Sequence, residues 1–507
     1  MTAIEAIPVR VDASALPPHD PLDLYVRLRE VLPAEDVFLL ENAEPGRRTA
    51  TVGCGLLCEV RVFSGAAGSG AGAAGRLEVR GLPVITDALV AAAVRLGLTP
   101  EATAGDDPVV RLHFEGAEPM WRVLEAARQL FHVTTDEPAT SYAFGFLTTL
   151  SYESTWFMES LAPRTKAPTG PDVTLALFRD TVWYDRVTGA TRLLHAESPA
   201  FDVPRAAVAE SAGAAAAEPG PQGHPIAPAP LSVRDSVDRA TFLGWAQRCL
   251  EHIRVGDIYQ IQIGHRVDVR TELTPVDVYR RLRGRNPSPY MYLLPRAEGL
   301  LIGASPELFL KIEGDEIVMR PIAGTTRRGP DEEENQRRIK EMRESSKEQA
   351  EHIMLVDLCR NDLGRVSRPS TQPVDRLMAV ETFSHVFHLV STVTGQLEKG
   401  VGIWDAVRAA FPAGTMTGAP KIRAMEIIDE LEEEPRGSYA GAVGLLDARG
   451  AWSELALCIR TVGYDGTTYA TQTSAGMVAQ SEPEAEWRET LAKMGAAYWA
   501  LTGEELL

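Results

Sequence analysis

The chain has 507 residues, more than one ordinary domain carries, so two or three domains or one large core with an accessory domain are expected. Its 51 basic and 70 acidic side chains leave a net charge of −19, which argues against bare nucleic acid or anionic membrane as a partner but leaves room for an anionic small molecule in a locally basic or metal-charged pocket. Five cysteines without a C-x-x-C pair speak against a disulfide scaffold or a thiolate zinc site and fit a reducing cytoplasm.

The opening MTAIEAIPVRVDASALPPHD lacks the basic-then-apolar order of a signal peptide. No stretch reaches the roughly 18 clean apolar residues of a membrane span; VITDALVAAAVRLGL carries Asp87 and Arg95. The runs 51–63 and 76–85 read as strands around the small-residue loop GAAGSGAGAAG, 120–131 reads as a helix, and 173–185 as another strand. The Ala/Pro/Gly-rich stretch 207–231 reads as an exposed linker or loop, its prolines breaking any helix. Residues 236–256 and 332–364 have helical patterns, as do VGIWDAVRAAF and APKIRAMEIIDELE. Strongly apolar strand candidates lie between them, without regular βαβ spacing. The pattern predicts an α/β (α+β) fold of large layered, largely antiparallel sheets flanked by helices. It divides into a β-rich accessory domain (1–206), the linker (207–231) and a chemistry-bearing domain (232–507).

Two glutamate pairs stand out. Glu348 and Glu351 are three apart in one helical pattern, and Glu486 and Glu489 repeat that spacing in EPEAEWRETLAKM. An i,i+3 spacing turns both carboxylates to one side of a helix. Two such helices face to face would gather four oxygen ligands suited to Mg²⁺; the same spacing also describes a solvated face with partners such as Lys493. FPAGTMTGAPK fails the phosphate-loop arrangement, because Ala419 and Pro420 separate Gly418 from Lys421; Gly414 and Gly418 read instead as letting the backbone approach a ligand or turn tightly before a helix. His385 and His388 read equally as core histidines or proton carriers. Arg460, ending an apolar strand pattern, reads as a carboxylate clamp or a strand-end ion pair. None of Cys54, Cys249, Cys359 and Cys458 has the setting of a glutaminase nucleophile.

Taken together, GDIYQIQIGHR, NPSPYMYLL, GASPELFL, RPIAGTTRRG, EQAEHIMLVDLCRNDLGRVS, FSHVFHLVS, FPAGTMTGAPKIRAMEIIDELE, YAGAVG, CIRT and EPEAEWRETLAKM resemble the chorismate-utilising enzymes, above all anthranilate synthase component I. They run in family order across about 240–500, half the chain; the N-terminal half resembles the family only in FLLENAE. The resemblance implies chorismate bound with Mg²⁺ in the C-terminal domain. Glu351 and Glu489 match metal-binding carboxylates, and Glu348 and Glu486 complete the two pairs. Glu307 matches the general acid that protonates the departing C4 hydroxyl, and His388 the histidine associated with pyruvate loss. Tyr439 and Arg460 match the holders of the enolpyruvyl carboxylate, Gly324 and Thr325 the loop under the ring, Gly476 a carboxylate-binding turn, and Lys493 a lysine near carboxylate and metal.

Two positions separate the branches of the family. Water-adding relatives carry a lysine base where this chain has Gln260, and C4-aminating relatives a nucleophilic lysine where it has Ala323. The resemblance therefore implies amination at C2 by ammonia, followed by pyruvate elimination to anthranilate. The alternative is release of the aminated intermediate, 2-amino-2-deoxyisochorismate (2-amino-4-deoxychorismate), in specialised metabolism; isochorismate or salicylate synthesis is disfavoured. Ser474, Glu454 and the segment IQIGHR depart from the family pattern. Asn42 replaces the serine of an effector segment, so Glu41, Asn42, Pro289, Tyr290 and Met291 are the candidate effector residues. A separate glutamine amidotransferase subunit in a hetero-oligomer, or free ammonia, would supply the nitrogen.

Overall fold

Runs rich in β-branched and other apolar residues form the strands of the first half, with helices such as Pro21–Val31 and Ala117–Gln129 between them. The 18-residue strand Arg47–Ser64 pairs antiparallel with Val37–Glu44 on one side and Val173–Asp185 on the other. The computed structural model describes residues 6–44, 47–65, 74–101, 108–297, 299–371, 373–383 and 386–507. Among these, Ile7–Ala15 and Phe131–Thr135 form a parallel pair, and every other pairing between strands is antiparallel. The mixed, largely antiparallel architecture expected from the sequence is the one observed.

The two halves share their sheets. Val37–Glu44 pairs with Tyr290–Arg296, and Gly145–Leu150 pairs with Ala442–Asp447. The largest apolar core accordingly mixes Phe38, Phe146 and Phe178 with Phe309, Phe411 and Leu446.

Three local expectations are corrected. The strand at 76–85 stops at Gly81, because Pro83, with its fixed φ, opens the helix Pro83–Arg95. Within 207–231, Val208–Ala217 is a helix whose Val208, Ala212 and Ala215 are buried. Alanine has the highest helix propensity, and the prolines that prevent a helix begin only at Pro219. The segment 332–364 is two helices, Glu332–Glu344 and Ser346–Gly364, divided at Ser345. The Ser345 hydroxyl caps the second helix by accepting from the Glu348 amide at 3.3 Å, which fixes where the turn bearing Glu348 begins.

Three elements carry most of the candidate functional residues. The strand Gln260–Arg270 lies between Tyr469–Met477 and the short Gly418–Ala419 pair. The acidic helix Ser346–Gly364 packs over Ile322–Arg327 and Val386–Gln396. The C-terminal helix Pro483–Thr502 packs on Tyr469–Met477.

Candidate active site

Glu307 occupies the break between the strands Gly299–Ser305 and Leu308–Glu313, where Pro306 interrupts the pairing. Its carbonyl accepts from the Leu457 amide at 3.0 Å, which holds the backbone, and its side chain is 6% exposed. The Thr415 hydroxyl donates to Oε1 at 3.2 Å. Burial pushes the carboxyl pKa up to about 8 and outweighs the opposing Thr415 hydroxyl, Ile322 amide and Lys493 charge. At neutral pH Glu307 is therefore an acid holding its proton. Thr415 belongs to a motif visible in the sequence, but only the fold pairs it with Glu307.

Gln260 opens its strand and is 1% exposed. Its Nε2 lies 3.5 Å from Glu351 Oε1 on the acidic helix, and its Oε1 is buried without a hydrogen-bond partner among the described residues. A Cβ at Gly476 would stand 2.9 Å from Gln262 Nε2 and 3.5 Å from Gln260 Nε2, so the glycine keeps the space beside both amides open. Gln262 Oε1 accepts from the Ser474 hydroxyl at 3.0 Å, and Ser474 Oγ lies 2.6 Å from the Tyr439 hydroxyl. Ser474, in the sequence only a departure from the family pattern, thus links Tyr439 to the strand of Gln260.

Arg460 breaks the long ELALCIRT strand pattern into two strands. It adopts φ +52°, and its guanidinium donates to the Lys493 carbonyl at 2.5 Å. Lys493 donates to the Ser474 carbonyl at 3.0 Å and pairs with Glu489 at 2.6 Å. Neither sequence reading of Arg460, a strand-end ion pair least of all, anticipates this contact with the C-terminal helix.

His388 lies on Val386–Gln396 with Nδ1 2.9 Å from the Thr325 hydroxyl and 3.4 Å from the Gly324 carbonyl. The Phe383 ring packs edge-on against it. Burial lowers its pKa to about 4, against the pull of the Gly324 carbonyl, and the Arg460 and Lys493 charges lower it further. His385 lies outside the described residues. Gly324 has φ +84°, a left-handed conformation, and a Cβ there would stand 2.9 Å from Leu389 and 3.2 Å from Glu348 Oε2.

The acidic pairs reach this site from two helices. Glu348 abuts Gly324 and Glu351 abuts Gln260, whereas Glu489 pairs with Lys493 and Glu486 is 5% exposed. Among the described residues no three His, Cys, Asp or Glu stand close enough to form a metal cluster unaided. The donor chemistry nevertheless fits a hard dication, since all four groups are carboxylates and one is almost fully buried. On the acidic helix itself His352 is fully buried; Nδ1 donates to the Ala323 carbonyl at 3.1 Å, and Nε2 lies 2.6 Å from the Ser391 hydroxyl.

The candidate effector residues also meet, at a separate cleft. Asn42 is in register with Tyr290 and Glu41 with Met291, and the Pro289 carbonyl accepts from the Ala43 amide at 2.8 Å. Glu41 is buried, accepts from the Tyr279 hydroxyl at 2.6 Å and pairs with Arg283 and Arg186. Asn42 donates to Glu454 at 2.7 Å, so the two departures from the family pattern bond to each other. No helix among the described residues is long and apolar enough to cross a membrane.

The chain has clear relatives among known proteins. The profile of the family described as chorismate binding enzyme matches residues 91–498. A 2-amino-4-deoxychorismate synthase of Streptomyces globisporus is 43% identical over 515 residues, covering 99% of each chain. Anthranilate synthase component 1 of Streptomyces coelicolor is 44% identical over 371 residues, covering 70% of this chain and 72% of its own. The crystal structure of anthranilate synthase component I from Streptococcus pneumoniae superposes with a TM-score of 0.69 at 27% identity, covering 90% of this chain and 93% of its own. A menaquinone-specific isochorismate synthase from Escherichia coli, at 16% identity and a TM-score of 0.66, covers 98% of this chain and 95% of its own and shares the fold.

Proposed function

The chain belongs to the chorismate binding enzyme family and is a chorismate-utilising synthase, and from that premise we propose that it aminates chorismate at C2 with ammonia and releases 2-amino-4-deoxychorismate. The observation that carries amination over hydration is Gln260. A buried, uncharged amide cannot take a proton from water, but its Oε1 can accept a hydrogen bond from ammonia, which is already a nucleophile.

In this reading Glu307 gives its proton to the C4 oxygen, which leaves as water rather than hydroxide. The C2–N bond forms, the C4–O bond breaks and the ring double bonds shift. The added nitrogen sheds one proton to solvent, from which Glu307 is recharged. Arg460 and Tyr439 hold the enolpyruvyl carboxylate, and the Gly476 turn receives the ring carboxylate. Gly324 and Thr325 form the floor of the ring site. Glu348, Glu351, Glu486 and Glu489 would hold Mg²⁺, which when bound supplies positive charge against a substrate carboxylate. Nitrogen comes from a separate glutamine amidotransferase subunit or from free ammonia.

Arrest before pyruvate loss is supported by the end-to-end similarity to a 2-amino-4-deoxychorismate synthase, against the partial coverage of the anthranilate synthase. His388 supports it too. A histidine held near pKa 4 is a weak base for the C2 proton that aromatisation must remove. Retention of the histidine is also the observation that favours the complete reaction to anthranilate.

The test is incubation with chorismate, Mg²⁺ and ammonium at pH 8, followed by chromatography and a coupled pyruvate assay. Ammonia-dependent consumption giving an aminated product without pyruvate is expected. Stoichiometric pyruvate with anthranilate fluorescence would refute the arrest. Turnover without ammonia, giving isochorismate, would refute the role of Gln260, and chelation without effect would refute the metal.

A further inference from the structure

The segment IQIGHR places a histidine, His265, five residues along the strand from Gln260. It is 2% exposed, and both of its ring nitrogens already face side chains of the protein. Its Nδ1 lies 2.7 Å from Asp235 Oδ1, and its Nε2 lies 2.8 Å from the Thr490 hydroxyl. A carboxylate only accepts, so Nδ1 carries a proton and donates to Asp235, while Nε2 meets the Thr490 hydroxyl on the other side of the ring. The ring stacks on Trp487 with centroids 4.6 Å apart at 22°, and Phe242 packs on both rings.

Thr490 follows Glu489 directly and lies one helical turn beyond Glu486. Its hydroxyl also lies 2.8 Å from the Trp487 carbonyl, and its own carbonyl accepts from the Thr473 hydroxyl at 3.0 Å. Trp487 lies between the two glutamates, so His265 grips the helix at 487 by stacking and at 490 by hydrogen bonding. Rotation of the helix about its axis would have to break both contacts. The other acidic helix is fastened by a histidine of its own, His352, which ties it to the Ala323 carbonyl and Ser391.

We propose that Asp235, His265 and Thr490 form a brace that sets the rotation of the C-terminal helix, so that Glu486 and Glu489 face the cation site. His265 is thus a positioning residue for metal binding. The inference rests on the assignment of these glutamates to Mg²⁺. A brace of this kind acts on affinity because an acidic pair turned away from its partner pair must be reoriented at the expense of binding.

The test measures divalent-metal binding directly, by Mn²⁺ electron paramagnetic resonance and calorimetric Mg²⁺ titration of the full chain without substrate. His265→Ala should weaken binding roughly 10- to 100-fold, the range for residues that orient metal ligands. His265→Gln, whose amide offers Asp235 a donor in place of the ring N–H, should stay near wild type. Asp235→Ala cuts the brace at its outer end, where the side chain is 32% exposed, and should give a smaller loss in a chain that folds normally. The Mg²⁺ concentration for half-maximal activity should rise with the binding constant, while the chorismate KM at saturating Mg²⁺ changes little. Wild-type affinity in folded His265→Ala and Asp235→Ala overturns the brace. A wild-type chain that binds neither cation, with or without chorismate, overturns instead the metal assignment beneath it.

Discussion

Replacement of Glu307 by glutamine should inactivate the enzyme and stabilise it. The carboxyl has a pKa of about 8 in the folded chain, against 4.5 for the ordinary group. A folded pKa above the unfolded one means that the native state holds a proton the unfolded state has released. Stability is then fully present below about pH 4.5 and declines up to about pH 8. At pH 7 the decline spans about 2.5 pH units, or roughly 3 kcal/mol at 1.36 kcal/mol per unit. The amide introduced by Glu307→Gln would keep the shape and the Thr415 contact without titrating, so the variant recovers about that amount at pH 7 and almost none at pH 4.5. With an unfolding entropy of about 1 kcal/mol per kelvin for a chain of this length, the gain is roughly 3 °C in Tm. Calorimetry of both proteins from pH 4.5 to 8.5 checks it, alongside an expected activity loss of about 10²- to 10⁴-fold for a lost general acid. Equal Tm values at pH 8, or a difference that does not grow with pH, would refute the picture of Glu307 as a buried neutral acid.

Other outcomes follow from the same geometry. Because the Thr415 hydroxyl lowers the Glu307 pKa, Thr415→Val should move the alkaline fall of kcat/KM, expected near pH 8 in the wild type, to higher pH; a downward shift refutes the contact. Gln260→Lys should place a base beside Glu351 and produce isochorismate without ammonia, with the ammonia-dependent product reduced about tenfold or more; chromatography in the absence of ammonium decides it. Arg460→Ala removes charge-assisted hydrogen bonds worth about 1.5–3 kcal/mol and should raise the chorismate KM roughly 10- to 150-fold. An unchanged KM means that the guanidinium serves only the Lys493 carbonyl.

What depends on local spacing is legible in the sequence, and what depends on distant partners is not. Glu348 and Glu351 can be placed on one helix face because i,i+3 periodicity is a local property, and the motifs locate Glu307, His388 and Arg460 by order alone. The boundary at Ser345 is not legible, because helix propensity continues through it and a single hydroxyl cap decides. The Val208–Ala217 helix is hidden for the opposite reason. Its composition matches a linker, and what orders it is burial against the N-terminal helix Pro21–Val31, which no local pattern reveals. Likewise Asn42 and Glu454 are separate oddities until the fold sets them 2.7 Å apart across 412 positions of chain. His265 shows in the sequence only as a changed motif letter, since its partners Asp235 and Thr490 come from distant segments.

The glycine at 324 bears on how such a catalyst can diversify. Its backbone angle disfavours any other residue, and the one position a Cβ would take is crowded by both Leu389 and Glu348. Heritable change therefore has little purchase on the backbone at this point. On the proposed reading, new reactions have to be reached through side chains that can vary, at positions such as Gln260, where an amide in place of an amine would decide which small molecule attacks.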